Sequence, residues 1–152
     1  MTNKVIPKHD HATLTFPPGF LWGTATSAHQ VEGNDKNNDW WEWEQKHQPP
    51  NKRSGKADDE YERYKEDFKL AKKLGHNAHR LSLEWSRIEP EEGQFDEEAI
   101  QHYQKVLKEL KDDGLTVMLT LHHFTNPLWF AQKGGWENRD SSVYFEILQQ
   151  SK

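Results

Sequence analysis

Cysteine is absent from the 152 residues, and hydrophobic residues make up only 33% of them. The lack of cysteine excludes a disulfide framework, a cysteine-based zinc site and a cysteine nucleophile. No apolar run approaches the roughly 18 residues that a membrane-spanning helix needs. The N-terminal residues also lack the apolar core, about 7–15 residues long, of a signal peptide, so we expect a cytoplasmic protein without membrane contact. The net charge of −5 argues against a nucleic-acid partner.

Aromatic residues are plentiful despite the polar composition. Seven Trp, seven Phe and four Tyr argue for a folded domain with a wet, aromatic surface or cleft rather than a disordered chain. Residues 1–15 are polar and irregular, which predicts a flexible N-terminal arm. We expect the folded part to comprise residues 16–152.

The hydrophobic pattern alternates between strands and helices. It predicts strands over about 20–29, 78–85 and 115–123, and helices over 58–74, about 97–113 and from near residue 140. The near-continuous apolar run of the third strand suggests burial on both faces. Residues 33–57 are predicted as a long loop, with further loops at 86–95 and 124–139. This order of elements predicts an α/β fold with a parallel sheet.

In such folds, ligands bind where the strands end. The three predicted strand ends are polar and aromatic, reading HQVE over 29–32, EWSR over 84–87 and HHF over 122–124. Amide, imidazole and carboxylate groups suit sugar hydroxyls, and aromatic faces suit sugar C–H groups. Any single Trp is equally well explained as a core or loop anchor. Four carboxylates lie near the strand ends, but nothing in their spacing selects a catalytic pair: Glu32, Glu42, Glu44 and Glu84.

Two histidine pairs raise the question of a metal site. His76 and His79 are three residues apart, and His122 and His123 are adjacent. On a strand, either spacing points the two side chains to opposite faces. We therefore expect no metal, and no other cofactor is implied.

Several longer motifs closely resemble glycoside hydrolase family 1, the β-glucosidase type. They occur in the family's order and span about residues 16–140: FPPGFLWGTATSAHQVEG at 16–33, NAHRLSLEWSRIEP at 77–90, TLHHFTNP at 120–127 and GGW at 134–136. The family is a (β/α)₈ TIM barrel of retaining glycosidases. The resemblance therefore implies that this chain holds the first three βα units of that barrel.

The resemblance also implies roles for individual residues. Gln30 looks like the residue that hydrogen-bonds the sugar in the −1 subsite, and His123 looks like its partner from the third strand. Arg80 looks like the arginine beside the nucleophilic carboxylate, whose ionised form a guanidinium would favour. Phe124 and Thr125 stand where many members have Trp and Asp. Phe124 can still pack against a sugar ring, but it lacks the indole N–H donor that a Trp would offer there.

Neither catalytic carboxylate of the family has a counterpart here, since the chain contains no Asn-Glu-Pro and no Glu-Asn-Gly motif. Arg80 and His123 are 43 residues apart, so eight repeats would need roughly 340 residues. We therefore expect the N-terminal part of a retaining β-glycosidase that acts on β-glucosides or β-galactosides, and we expect this chain alone to be inactive. The alternative is a non-catalytic assembly module that complements a separate chain or associates with itself.

Overall fold

The computed structural model describes residues 15–144, which form an α/β fold around three parallel strands. These are β1 (Gly23–Ala25), β2 (Ala78–Ser82) and β3 (Thr116–Thr120), in the order β1-β2-β3. The register aligns Ala25 with Arg80 and Arg80 with Met118. All three strands therefore end at the same edge of the sheet. The α/β fold with a parallel sheet, predicted from the order of the elements, is confirmed.

The α-helices with both ends inside the described residues are α1 (Ala28–Val31), α2 (Asp39–His47), α3 (Glu60–Lys73), α4 (Trp85–Ile88), α5 (Glu97–Asp112) and α6 (Leu128–Gln132). Short 3₁₀ turns occupy Pro50–Lys52, Gly135–Glu137 and Arg139–Ser141. None of the helices in the described part of the chain is long and apolar enough to span a membrane.

The two long helices, α3 and α5, were predicted from their apolar spacing. Each buries its apolar stripe in one core, which consists of Tyr64, Phe68, Leu81, Val106, Leu110 and Leu115. The Asp96 side chain accepts hydrogen bonds from the backbone N–H groups of Glu98 and Ala99, which begins α5. Gly75 follows α3 with φ +88°, a left-handed stop.

Two predicted boundaries near the N-terminus were wrong. The strand predicted over 20–29 covers only Gly23–Ala25, and α1 follows it almost at once. The chain leaves the sheet because the backbone N–H of Ala28 donates to Oγ of Ser82 instead of continuing the ladder. The loop predicted over 33–57 contains α2, whose first turn is capped by the Asn38 side chain.

The later strands are also shorter than predicted. The strand predicted over 78–85 ends at Ser82, and α4 occupies the start of the loop predicted over 86–95. The predicted burial of the third strand on both faces is wrong, because Met118 is 62% and Leu119 is 38% exposed. β3 is an edge strand that pairs only with β2 in the described part of the chain. The helix predicted from near residue 140 lies mostly outside the described residues, as does the N-terminal arm.

Candidate functional site

Arg80 is the central polar residue at the carboxyl edge of the sheet. Its Nε donates to Oγ1 of Thr120 at 2.8 Å, and its Nη1 donates to the backbone oxygen of Thr26 at 3.1 Å. Its Nη2 lies 2.9 Å from Nδ1 of His123. One guanidinium therefore joins the ends of all three strands.

This contact fixes the tautomer of His123. Because a guanidinium only donates hydrogen bonds, Nδ1 of His123 must accept, and the imidazole proton belongs on Nε2. Partial burial lowers the pKa of His123, and the charges of Arg80 and His122 lower it further. His123 is therefore a neutral ring with an Nε2–H donor.

Gln30 and Phe124 lie at the same edge. Gln30 is exposed in α1, and its Oε1 accepts a hydrogen bond from the Ser27 hydroxyl. The Gln30 amide nitrogen makes no hydrogen bond within residues 15–144, and none joins Gln30 to His123. Phe124 is 43% exposed, and its ring centroid lies 5.0 Å from that of His123.

A row of aromatic rings continues from Phe124 onto α2. Trp40 meets Phe124 edge-on at 5.5 Å between centroids, and Trp43 stacks on Trp40 at 5.1 Å. His47 stacks on Trp43 at a further 5.1 Å. Both Trp side chains are exposed. Helix α2, which lies within the segment predicted as a loop, places these aromatic side chains beside the strand ends.

The four carboxylates near the strand ends all have partners. Glu42 pairs with Lys46 at 3.1 Å on the surface of α2. Glu44 is buried and accepts hydrogen bonds from the backbone N–H and hydroxyl of Ser54. Burial opposes ionisation of Glu44, but the Ser54 and His29 hydrogen bonds outweigh it and lower its pKa.

Glu32 and Glu84 lie deeper. Glu32 accepts hydrogen bonds from Nε of Arg87 at 2.9 Å and from the Tyr103 hydroxyl at 2.9 and 3.0 Å. Burial raises the pKa of Glu32 well above its usual value. The charge of Asp35 raises this pKa further, and the charge of Arg87 partly opposes the rise. Glu84 is fully buried and accepts from the hydroxyls of Ser86 and Thr125. All four carboxylates thus serve as hydrogen-bond acceptors or ion-pair partners within the fold.

Of the histidines considered for a metal site, His79, His122 and His123 have other side-chain partners, whereas Nδ1 of His76 is buried without a hydrogen-bond partner in the described residues. Both ring nitrogens of His79 lie within 3.3 Å of threonine hydroxyls, those of Thr24 and Thr26. Nε2 of His122 lies 3.1 Å from Oδ1 of Asn126.

Two residues that hold the site together were not singled out from the sequence. Asn38 is fully buried; its Nδ2 donates to Nδ1 of His29 at 3.1 Å and to the backbone oxygen of Asp35 at 3.2 Å. Asp39 accepts hydrogen bonds from the backbone and side chain of Asn126, which ties α2 to the loop after β3. The signal available for Asn38 was its place as a helix N-cap before an aromatic run.

Comparison with known proteins gives the family. The model of glycosyl hydrolase family 1 matches residues 12–150. This chain belongs to that family. A β-glycosidase from Pyrococcus horikoshii superposes with a TM-score of 0.81 and 47% identity, over 88% of this chain and 31% of that one.

Curated family members agree with this assignment. The β-glucosidase A of Acetivibrio thermocellus is 37% identical over 140 residues, or 87% of this chain and 31% of that protein. A 6-phospho-β-glucosidase of Bacillus subtilis is 36% identical over 86% of this chain and 30% of its own length. The chain thus spans about a third of these family 1 relatives, and its three-stranded open sheet is part of their barrel.

Proposed function

We propose that this family 1 chain forms part of the −1 sugar subsite of a retaining β-glycosidase. Gln30, His123 and Phe124 bind the sugar in this proposal, and Arg80 is a supporting residue near the nucleophile. The observation that carries the proposal is the hydrogen bond from Arg80 to Nδ1 of His123 at the strand ends. It leaves an oriented Nε2–H donor on His123, next to the Phe124 ring and at the same edge of the sheet as the exposed Gln30 amide.

The substrate class follows from these groups and from the relatives. Neutral donors and an exposed aromatic face fit a ring that carries hydroxyls on its rim and C–H groups on its faces. The Acetivibrio thermocellus relative is named a β-glucosidase. We propose a β-glucoside or β-galactoside as the sugar partner and residues 16–152 as part of one barrel domain.

The catalytic step needs carboxyl groups from outside this chain. Retaining hydrolysis uses two carboxyl groups about 5–5.5 Å apart, one as nucleophile and one as acid and then base. Glu32, Glu44 and Glu84 are buried acceptors, and Glu42 is paired on the surface. Arg80 would act through its fixed charge, which lowers the pKa of an adjacent carboxylate nucleophile and keeps it ionised. We expect residues 1–152 alone to be inactive.

A chimera tests the role of the site residues. Residues 16–140 replace the matching third of the Pyrococcus horikoshii β-glycosidase, and kcat/KM is measured on a chromogenic β-glucoside. We expect Gln30→Ala to lower kcat/KM about 10–100-fold, the effect of one or two lost hydrogen bonds to the sugar. Gln101→Ala, at an exposed position of α5, is the matched control. Equal activity of the two variants would refute the role of Gln30.

A second function, that of an assembly module, is favoured by the open sheet. β1 and β3 each have one paired edge in the described residues, and Met118 and Leu119 expose apolar surface. Exposed strand edges and apolar faces favour pairing with further strands. The partner would be a separate chain that carries the remaining barrel strands. Mixing residues 1–152 with the complementary part of the Pyrococcus relative should then restore activity, and absence of both a complex and activity would count against this role.

A further inference from the structure

A buried cluster below the proposed subsite has no role in sugar binding as described so far. His29 from α1, Asp35 from the following loop and Glu84 at the start of α4 are 4%, 3% and 0% exposed. One potential ligand atom from each lies within 4.8 Å of those of the other two. Bonds of about 2.0–2.2 Å in a tetrahedral site place ligand atoms about 3.3–3.6 Å apart, so each side chain would move inward by up to about 1 Å when the ion binds.

Asp35 is the least satisfied member of this cluster. Both of its carboxylate oxygens are buried. Arg87 forms an ion pair with Oδ1, and Oδ2 has no partner of either kind in residues 15–144. Buried carboxylate oxygens are almost always hydrogen-bonded or bound to a metal, so an unpartnered one requires an explanation.

The local charge is also unbalanced. Three buried carboxylates face one another, those of Glu32, Asp35 and Glu84, and within the described residues their ion pairs come from Arg87 alone. A bound cation would pair with carboxyl groups that Arg87 alone does not satisfy.

His29 is oriented as a metal ligand would be. Its Nε2 lies 3.4 Å from Oε1 of Glu44, a carboxylate that hydrogen bonds from Ser54 keep ionised. Nε2 therefore carries the proton, and the lone pair lies on Nδ1, where the Asn38 amide now donates. A carboxylate that accepts the second N–H of a ligating histidine is the usual outer-shell partner in metal sites.

We propose that His29, Asp35 and Glu84 bind a divalent first-row transition-metal cation. One imidazole and two carboxylates suit Zn²⁺ or Mn²⁺, whereas Mg²⁺ and Ca²⁺ favour all-oxygen sites. By the general order of affinities, Zn²⁺ should bind more tightly than Mn²⁺. The ion would join the segments that follow β1 and β2, and it would displace the Asn38 amide from Nδ1 of His29. This site does not depend on the proposed sugar subsite and uses none of the histidines considered from the sequence.

Calorimetric titration of the metal-free 152-residue chain with ZnCl₂ and MnCl₂ tests the proposal. We expect one specific site whose occupancy raises the melting temperature. Asp35→Asn, nearly the same in shape, should abolish this site. Glu97→Gln, which removes an exposed carboxylate, should leave it unchanged.

A second variant guards against a fold defect in Asp35→Asn. Glu44→Gln keeps all three ligands but weakens the orientation of His29, so we expect about a tenfold loss of affinity. Circular dichroism verifies that each variant is folded. The proposal is overturned if the wild-type chain shows no specific site. Unchanged Zn²⁺ affinity in folded Asp35→Asn also overturns it. If Asp35→Asn does not fold, unchanged Zn²⁺ affinity in Glu44→Gln overturns the proposal instead.

Discussion

The hydroxyl of Tyr103 links α5 to the two strand ends that carry the candidate site. It donates to Glu32 at 2.9 and 3.0 Å and accepts from the backbone N–H of Glu84 at 3.1 Å. Tyr103 is 4% exposed, so water cannot easily replace either partner. Tyr103→Phe removes this one oxygen and keeps the ring packing. It therefore isolates the contribution of the hydroxyl.

The expected loss of stability follows from the two partners. A hydrogen bond contributes about 0.5–1.5 kcal/mol, and a buried N–H left without a partner costs about 1–3 kcal/mol. The two effects share one atom and overlap. We therefore expect the free energy of unfolding to fall by about 1–3 kcal/mol for Tyr103→Phe.

Tyr64→Phe is the matched control. Tyr64 is buried in the core between α3 and α5, but its hydroxyl makes no hydrogen bond within residues 15–144. Urea unfolding monitored by tryptophan fluorescence gives both values, since Trp85 is buried. We expect the control to change stability by less than about 0.5 kcal/mol. Equal stabilities of the two variants would refute the idea that the Tyr103 hydroxyl holds these strand ends.

Two further predictions concern the guanidinium contact and a glycine. Arg80→Gln removes a positive charge from beside His123, so the pKa of His123 should rise in an NMR titration of its imidazole; an unchanged pKa would contradict the described contact. Gly33→Ala should lower the melting temperature more than Gly93→Ala. Both glycines have positive φ, at +82° and +72°, but only at Gly33 would a Cβ overlap the backbone of Lys56. Equal losses would mean that this close approach costs nothing.

Local sequence signals were sufficient for α3 and α5. Their apolar residues recur at helical spacing, and Gly75 and Gly114 follow them with positive φ. α2 was missed because Gly, Asn and Pro surround it and its exposed tryptophans resemble a loop. The sequence signals for this helix lie only at its two ends: Asn38 is its N-cap, and the basic residue Lys46 lies in its last turn.

The candidate site could be predicted only in part. The order of strands and helices indicated that His123 and Phe124 would follow a strand at the edge where the parallel strands end, as they do. Arg80 was indicated only by the resemblance to family 1. The contact between Arg80 and His123 could not be predicted, because it depends on the register that aligns Arg80 with Met118. The partners of Glu32 were equally hidden, since Tyr103 lies 71 residues away in the chain.

The hydrogen bonds of Arg80 imply that this chain itself orders the part of the proposed subsite around His123. Its guanidinium is held by the backbone of Thr26 and the hydroxyl of Thr120, and it in turn orients His123. A planar guanidinium loses little further freedom once it is held in this way. Because this network lies within residues 26–123, His123 should keep its Nε2–H donor whether or not other barrel strands are present. The reacting carboxylates of the proposed enzyme would then meet a donor that is already oriented.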